Sequence, residues 1–277
     1  MAVFCLCSAS GSPGVTSTVL GLGYQWGGSV TVVEADPSGG NAMLTGMLRG
    51  QLVKPGLVEL AKAGQAGLLS EGLARLAVPL VDAAGVGIPR EILTSDPGQV
   101  WATPRLSLVP GSLTFEQAPI LTKLWEPLMV GMRSVSASTG VDFLVDAGRL
   151  GLQGWPKAIV EAADVTVLCL RSSLREASGA AAWAKKLAAG EFAEHQLRLL
   201  LIGDGHPYPV RDIAKEFKVE ALGQIPWDPK RARVFSDGAG HGRGFARSGY
   251  VAALRAVAQA LQKIVHADQV PTRGNSM

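Results

Sequence analysis

The sequence predicts an α/β fold, namely a doubly wound, mostly parallel sheet flanked by helices. Short runs of β-branched and aliphatic residues alternate with longer Ala/Leu-rich stretches along nearly the whole of the 277-residue chain. Several short runs are apolar at every position, which is typical of parallel strands covered by helices on both faces. This alternation of strands and helices favours one doubly wound sheet over separate all-α and all-β parts.

The elements follow one another in a regular order. The runs predicted as strands are Val3 to Cys7, Ser29 to Val33, Leu106 to Val109, Phe143 to Val145, Val165 to Leu170 and Leu197 to Ile202. Apolar residues recur at helical spacing in Thr16 to Tyr24, Phe115 to Val135, Leu174 to Ala189 and Tyr250 to His266. Residues 50–104 are Ala/Leu-rich but interrupted by glycine and proline, so we expect a helical insertion that packs on the sheet. We therefore expect one domain over residues 1–267 and a flexible polar tail over 268–277.

Composition narrows the class of protein. The chain is 47% hydrophobic and 18% charged, which is typical of a globular protein and not of a disordered one. No run of 18 uninterrupted apolar residues occurs, and the N-terminus has no basic segment of the kind that begins a signal peptide. The three cysteines are compatible with a reducing compartment. We expect a cytoplasmic protein without a transmembrane segment.

The loop after the first predicted strand is the first candidate site. It reads Ser-Ala-Ser-Gly-Ser-Pro-Gly-Val-Thr-Ser over residues 8–17 and leads into an apolar helix. Ligands of such sheets bind beyond the carboxyl ends of the strands, and small residues there let backbone N–H groups approach an anion at a helix N-terminus. The candidate binding residues are Gly11, Ser12, Gly14, Val15, Thr16 and Ser17. The same pattern also fits an ordinary Gly/Ser-rich turn.

Carboxylates follow two other predicted strands. Glu34 and Asp36 end the second strand, and Asp146 ends the strand that begins at Phe143, two residues before Gly148. An aspartate in this position can hold Mg²⁺ or orient water in a nucleotide-hydrolysing site. A turn-capping role for each aspartate stays open.

These segments, in this order and spacing, resemble the deviant Walker-A ATPases of the MinD/ParA group, including the pilus- and secretion-associated CpaE and TadZ. The loop matches at Gly11, Gly14, Thr16 and Ser17, the run from Glu34 to Asn41 is similar to the first switch, and Asp146-Ala147-Gly148 is similar to the second. Further matches are Leu108 to Ser112, Ala163-Asp164, and Gly223 to Asp228, which is similar to the loop near the adenine. The resemblance implies ATP or ADP with Mg²⁺ held by Thr16, Asp36 and Asp146, base contacts near Pro226 and Asp228, and a homodimer.

The departures from this family pattern concern the cations. Ser10 occupies the position of the signature lysine and Val15 that of the Walker lysine, and no lysine, arginine or histidine precedes Arg49. The missing lysines would neutralise charge on the β- and γ-phosphates, and their loss costs several kcal/mol of transition-state stabilisation by analogy with other electrostatic groups. Arg49, Arg149 or an arginine of a second subunit could replace them. Asp204 also replaces the usual base-contacting asparagine.

A basic cluster lies late in the chain and offers a further site. It comprises Lys230, Arg231, Arg233, Arg243 and Arg247. The cluster could bind DNA non-specifically, as basic residues of ParA-like proteins do, or it could be a solvated surface, which the net charge of +3 favours.

Three functional hypotheses follow. The first is a degenerate MinD/ParA/CpaE-like localisation or scaffolding factor without efficient ATP hydrolysis, in which Asp36 and Asp146 are vestigial. It would bind protein partners in a polar, pilus/secretion or division assembly, some of them at a membrane. The second is a nucleotide-switched ATPase in chromosome or plasmid partition, septum placement or flagellar placement. The third is a remodelled loop that binds a different anion or a small ligand, so that no nucleotide cofactor is involved.

Overall fold

A computed structural model describes residues 2–11, 13–38, 42–50, 56–65, 69–81, 105–189 and 197–268. Ser12 and Asn41, both named above as parts of candidate segments, lie outside the described residues, as does the predicted tail from residue 269 onward. None of the helices in these ranges is both long enough and apolar enough to cross a membrane.

The described residues form one eight-stranded sheet. Its strands are β1 Val3–Ser8, β2 Val30–Glu34, β3 Val78–Val81, β4 Leu106–Val109, β5 Asp142–Arg149, β6 Val165–Leu170, β7 Leu197–Ile202 and β8 Glu220–Ile225. The spatial order is β3-β4-β2-β5-β1-β6-β7-β8. All neighbouring pairs are parallel except β3 and β4, which are antiparallel. The mostly parallel sheet is as predicted.

Helices cover both faces of the sheet. They are α1 Val15–Gln25, α2 Leu57–Gln65, α3 Leu69–Leu76, α4 Ala118–Leu121, α5 Trp125–Thr139, α6 Lys157–Ala162, α7 Leu174–Ala188, α8 Val210–Phe217, α9 Pro229–Ser236 and α10 Gly249–Asp268. A five-residue π-helix, Met43–Met47, follows β2. Helices α1, α9 and α10 lie over one face, and α2, α3 and α5 to α8 lie over the other.

The residues of β1 show why the strand sequence is apolar throughout. Phe4 and Leu6 belong to the core beneath α1 and α10, whereas Val3 and Cys5 belong to the core on the opposite face. Successive side chains of a strand point to opposite faces, so a strand covered on both sides needs apolar residues at every position. The doubly wound arrangement is thereby confirmed.

Two strands were missed by the sequence analysis. The edge strand β3 contains Pro79, which an edge strand tolerates because the missing N–H is not needed by a further neighbour. The edge strand β8 begins with the exposed residues Glu220 and Ala221 and contains Gly223, so it lacks the apolar run that identified the central strands. Edge strands carry the weakest sequence pattern because only part of their surface is buried.

The predicted single helix from Phe115 to Val135 is wrong. A 3-10 turn at Phe115–Gln117, the short α4, a turn at residues 122–124 and the longer α5 replace it. Pro127 stands at the third position of α5, where its missing N–H costs no helical hydrogen bond. The proline therefore suits a helix that begins at Trp125 better than one that continues from Phe115.

Part of the segment predicted as a helical insertion is visible. Between residues 56 and 81 it contains α2 and α3, as expected, and then β3, which joins the sheet. Residues 82–104 lie outside the described residues. The single-domain boundary at residue 267 stays a prediction.

Candidate functional site

The carboxyl ends of three central strands bring the predicted carboxylates together. Asp146 of β5 lies between β1 and β2 in the sheet, opposite Leu6 and Glu34 respectively. The backbone of Ala35 donates to the Asp146 carbonyl at 2.8 Å, which holds the chain leading to Asp36 beside β5. Asp36 and Asp146, 110 positions apart in the sequence, thus share one edge of the sheet.

Asp146 is fully buried. Its Oδ1 accepts a hydrogen bond from the Gly148 N–H at 3.0 Å, whereas no group among the described residues meets hydrogen-bond geometry with its Oδ2. Burial, with a smaller contribution from the charge of Asp36, raises the pKa of Asp146 to about 7, although the nearby Thr16 hydroxyl and the Gly148 N–H oppose this rise.

Gly148, two residues after Asp146, lets the Asp36 side chain approach the end of β5. Gly148 has a φ of +59°, and a Cβ at this position would lie 2.2 Å from Cγ of Asp36. The Asp36 carboxylate accepts from the N–H and hydroxyl of Ser38 at 2.9 and 2.7 Å. Only glycine combines this backbone conformation with so close an approach.

Glu34 has a different role from the one expected of a site carboxylate. It is buried, and its two oxygens accept from the N–H groups of Met43 at 3.1 Å and Gly111 at 3.2 Å. Burial raises its pKa to about 7, against the lowering effect of these hydrogen bonds. Glu34 therefore ties the π-helix and the loop after β4 to the end of β2.

The loop after β1 leads into a helix N-terminus suited to an anion, but its described residues include no cationic side chain. Gly14 has a φ of +102° and precedes α1, whose first turn contains neither an acidic residue nor a side-chain cap. The N–H groups of such a turn have no partner within the helix and favour an anion. Val15, in the Walker lysine position, is only 5% exposed and belongs to the apolar core. Its side chain packs under the loop and supplies no donor.

A residue that the sequence analysis missed lies against the loop. Ser10, in the signature lysine position, donates its hydroxyl to the carboxylate of Glu176. Glu176 is the third residue of α7, and its N–H is bonded to the hydroxyl of Ser173, the N-cap of that helix. The Ser-x-x-Glu spacing after β6 is a recognisable helix-start signal that places such a glutamate at the carboxyl edge. The structure thus adds a negative charge where the family has a lysine.

The loops after β6, β7 and β8 meet at the predicted base-binding end. The guanidinium of Arg171 lies over the ring of Trp227, 4.0 Å from its centroid, and the Trp227 N–H donates to Asp204 at 3.3 Å. Pro226 precedes this tryptophan, and Asp228 caps α9 by accepting from the Arg231 N–H at 3.0 Å. A base contact by Pro226 or Asp228 stays a prediction.

Pairing reduces the charge of the predicted basic cluster. Arg231 forms an ion pair with Asp228, and Arg233 forms one with Asp237 at 2.6 Å. Arg49 donates to the carbonyl of Gly238 at 2.6 Å, so this guanidinium is engaged with the loop after α9. Arg149 is exposed at the end of β5.

The residues at the β2 and β5 ends fit a divalent cation. The unpartnered Oδ2 of the buried Asp146, together with Asp36 and the Thr16 hydroxyl, provides the oxygen ligands that Mg²⁺ prefers. Bound Mg²⁺ would neutralise charge on phosphate groups. Among the described residues, no group of three or more His, Cys, Asp and Glu side chains could hold a metal by itself.

Comparison with known proteins agrees with this architecture. No protein-family model matches the chain, and no curated protein sequence matches it. Among solved structures, the chain is similar to the cell division protein MinD of Aquifex aeolicus, with a TM-score of 0.67, 16% identity and coverage of 95% of this chain and 98% of that one. It is also similar to a ParA family ATPase of Chlorobium tepidum TLS, with a TM-score of 0.63, 15% identity and coverage of 93% and 98%. A variant of Cyanothece McdA in complex with ATP gives a TM-score of 0.61, 15% identity and coverage of 98% and 98%.

The fold is therefore that of a P-loop NTPase. Within that class, it is the MinD/ParA fold that the resemblance implied, and it extends over almost the whole chain.

Proposed function

We propose that this protein is a MinD/ParA-like positioning or scaffolding factor that does not hydrolyse ATP efficiently. The observation that carries the proposal is the replacement of both loop cations. Val15 is buried in the core, and Ser10 binds the carboxylate of Glu176. A triphosphate in this loop would meet a negative side chain and no lysine, which lowers its affinity and removes the charge neutralisation that the transition state requires.

A protein that lacks turnover can still use the surface around the loop for recognition. Large apolar side chains are exposed in the segments that follow β4, β6 and β8, namely Leu113, Phe115, Leu174 and Trp227. All four lie in segments that leave the carboxyl ends of strands, the edge at which doubly wound sheets bind ligands. We infer that this carboxyl-edge surface forms a homodimer and receives protein partners of a polar, pilus/secretion or division assembly, some of them membrane-associated.

ATP turnover tests the proposal directly. Purified protein with Mg-ATP should release phosphate no faster than the Asp36→Ala variant, because the cations needed for catalysis are missing from both. Robust turnover that disappears in Asp36→Ala would show that another cation completes the site, and it would overturn the proposal.

Calorimetry separates the loss of binding from the loss of catalysis. We expect Mg-ATP and Mg-ADP to bind at least tenfold more tightly to a Ser10→Lys/Val15→Lys variant than to the natural protein, since each lysine contributes charge-assisted hydrogen bonds to phosphate. Circular dichroism would check that the lysine at the buried position 15 leaves the fold intact, and Ser10→Lys alone is the less disruptive variant. Micromolar binding by the natural protein, unchanged in both variants, would contradict the assigned role of the loop.

One observation favours a second candidate, the nucleotide-switched ATPase of partition, septum placement or flagellar placement. The residues that the resemblance implies for Mg²⁺ lie together, because Asp36, Asp146 and Thr16 adjoin one another and Asp146 Oδ2 has no partner within the described residues. The similar McdA variant was solved with ATP. This candidate requires ATP or ADP with Mg²⁺ as cofactor, and ATP-dependent dimerisation in a sedimentation experiment would support it. For a partition role, salt-sensitive DNA binding through the basic cluster would be required as well.

A further inference from the structure

A cavity lies away from the loop between β1 and α1, at the opposite end of α1. Its volume is about 740 Å³, within the range of roughly 300 to 1,000 Å³ that is usual for small-molecule sites. Apolar and aromatic side chains from several elements line it: Tyr24, Met47, Leu48, Leu80, Phe235 and Phe245. Tyr24 is nine residues along α1 from Val15, or about 14 Å at the rise of an α-helix, so the cavity is distinct from the nucleotide site.

The polar part of the lining comes from the loop between α9 and the 3-10 turn at Phe245–Arg247. Glycine occupies every second position of this loop, at 238, 240, 242 and 244, and all four glycines line the cavity. At Gly240, Gly242 and Gly244 an added Cβ would meet no atom within 4 Å, so the backbone is open to a ligand on that side.

Arg247 is the charged side chain among the described residues that line the cavity. Arg247 and His241 both line the cavity, and His241 stacks on Phe245 with ring centroids 5.7 Å apart. No carboxylate side chain belongs to the lining in the part of the chain that the structure describes. A ligand that carries an acidic group would therefore meet the guanidinium of Arg247 and no carboxylate of the described lining.

We propose that this cavity binds a small molecule with an apolar or aromatic body and one anionic group. The body contacts Phe235, Leu80 and Met47, and the anionic group contacts Arg247 and the glycine loop. Met47 is the last residue of the π-helix, whose first residue, Met43, donates its N–H to Glu34. A ligand in the cavity would therefore also contact the π-helix, which follows the Asp36 segment.

The probe 8-anilinonaphthalene-1-sulfonate tests the location, because it combines an aromatic body with one sulfonate. We expect saturable fluorescence enhancement with about one probe per chain. Ala246→Trp introduces an indole at an exposed position of the lining and should weaken binding at least tenfold. The matched control is Ala256→Trp, at an exposed position of α10 outside the lining, and it should bind like the natural protein.

Two further comparisons test the charge requirement. Dodecanoate should displace the probe at least tenfold more effectively than dodecanol, which has the same chain but no charge. Arg247→Gln should weaken both probe and dodecanoate about tenfold through loss of a charge-assisted hydrogen bond, whereas Arg211→Gln, on the exposed surface of α8, should change neither.

Several outcomes would overturn the proposal. They are an absence of saturable binding, equal binding to Ala246→Trp and the natural protein, equal displacement by dodecanoate and dodecanol, or equal effects of the two arginine substitutions. Thermal unfolding of each variant, followed by circular dichroism, establishes that a loss of binding does not come from a loss of fold.

Discussion

Asp146 and Glu34 are buried carboxyl groups on neighbouring strands, and burial raises the pKa of each to about 7. Their surroundings nevertheless differ. Both oxygens of Glu34 accept backbone hydrogen bonds, whereas Oδ2 of Asp146 has no partner within the described residues. Glu34 is satisfied by the fold itself, and Asp146 is the one of the two that is suited to bind a cation.

The raised pKa of Asp146 predicts a pH dependence of stability. The unfolded chain ionises this group near pH 4, but the folded chain holds its proton until about pH 7, so stability is lost as the pH rises between these values. Asp146→Asn removes the titration. Between pH 5 and pH 8, the free energy of unfolding of Asp146→Asn should therefore fall by roughly 2 to 3 kcal/mol less than that of the natural protein.

Urea denaturation at the two pH values measures this difference without added metal. The exposed Asp212→Asn is the matched control and should follow the natural protein. Parallel pH curves for the natural protein and Asp146→Asn would show that Asp146 ionises normally in the fold.

At the scale of elements, close backbone contact joins the π-helix to α9. A Cβ at Gly46 of the π-helix would lie 2.1 Å from the carbonyl oxygen of Ser236, at the end of α9. The contact is between two backbones, so neither side can move away without displacing its element. The π-helix therefore connects the Asp36 segment to α9 through a contact that only glycine permits.

Gly46→Ala should consequently destabilise the protein by about 1 to 3 kcal/mol, the usual cost of overpacking. Gly179→Ala in α7 provides the control, because nothing lies within 4 Å of its added Cβ and the change improves helix propensity by up to about 1 kcal/mol. Thermal or urea unfolding of both variants checks the prediction. If Gly46→Ala were as stable as the natural protein or more stable, the π-helix would not be packed against α9 as described.

At the scale of the whole molecule, the proposed homodimer would form through the exposed apolar side chains at the carboxyl edge of the sheet. Phe115 is 67% exposed although the side chain is large and apolar. In a homodimer formed through this edge, its burial would contribute roughly 1.5 to 3 kcal/mol. A glutamate there would instead bring like charges together across the two-fold axis.

We therefore expect the natural protein to sediment as a dimer without nucleotide, and Phe115→Glu to sediment as a monomer at the same concentration. Val130→Glu is the control, since Val130 is similarly exposed, at 65%, on α5 outside the surface defined above. A dimer that survives Phe115→Glu but is lost in Val130→Glu would move the interface to the α5 face.

The central strands were predictable because burial on both faces requires apolar residues at every position. The apolar runs in β1, β6 and β7 identified these strands, and the Gly/Ser-rich loop lies between β1 and α1 as expected, while its phosphate-binding role stays a prediction. The edge strand β8 has no such run because its first residues are exposed, and the short apolar run of β3 was missed because it contains Pro79 within an Ala/Leu-rich segment. The break before α5 was missed because apolar residues recur at helical spacing on both sides of it, although Pro127 favours a helix that begins near Trp125.

The residue pattern alone predicts a mostly parallel α/β sheet, and it shows that no lysine, arginine or histidine precedes Arg49 in the chain. Both statements rest on the local order of residues and do not require knowing which segments meet in the fold. Three features depend on the fold. Glu176 contacts Ser10 across 166 residues, and Asp36 lies beside Asp146. The glycine loop lines an apolar cavity at the end of α1. These contacts depend on the order of the strands and on the paths of their connections, and local periodicity carries no information about either.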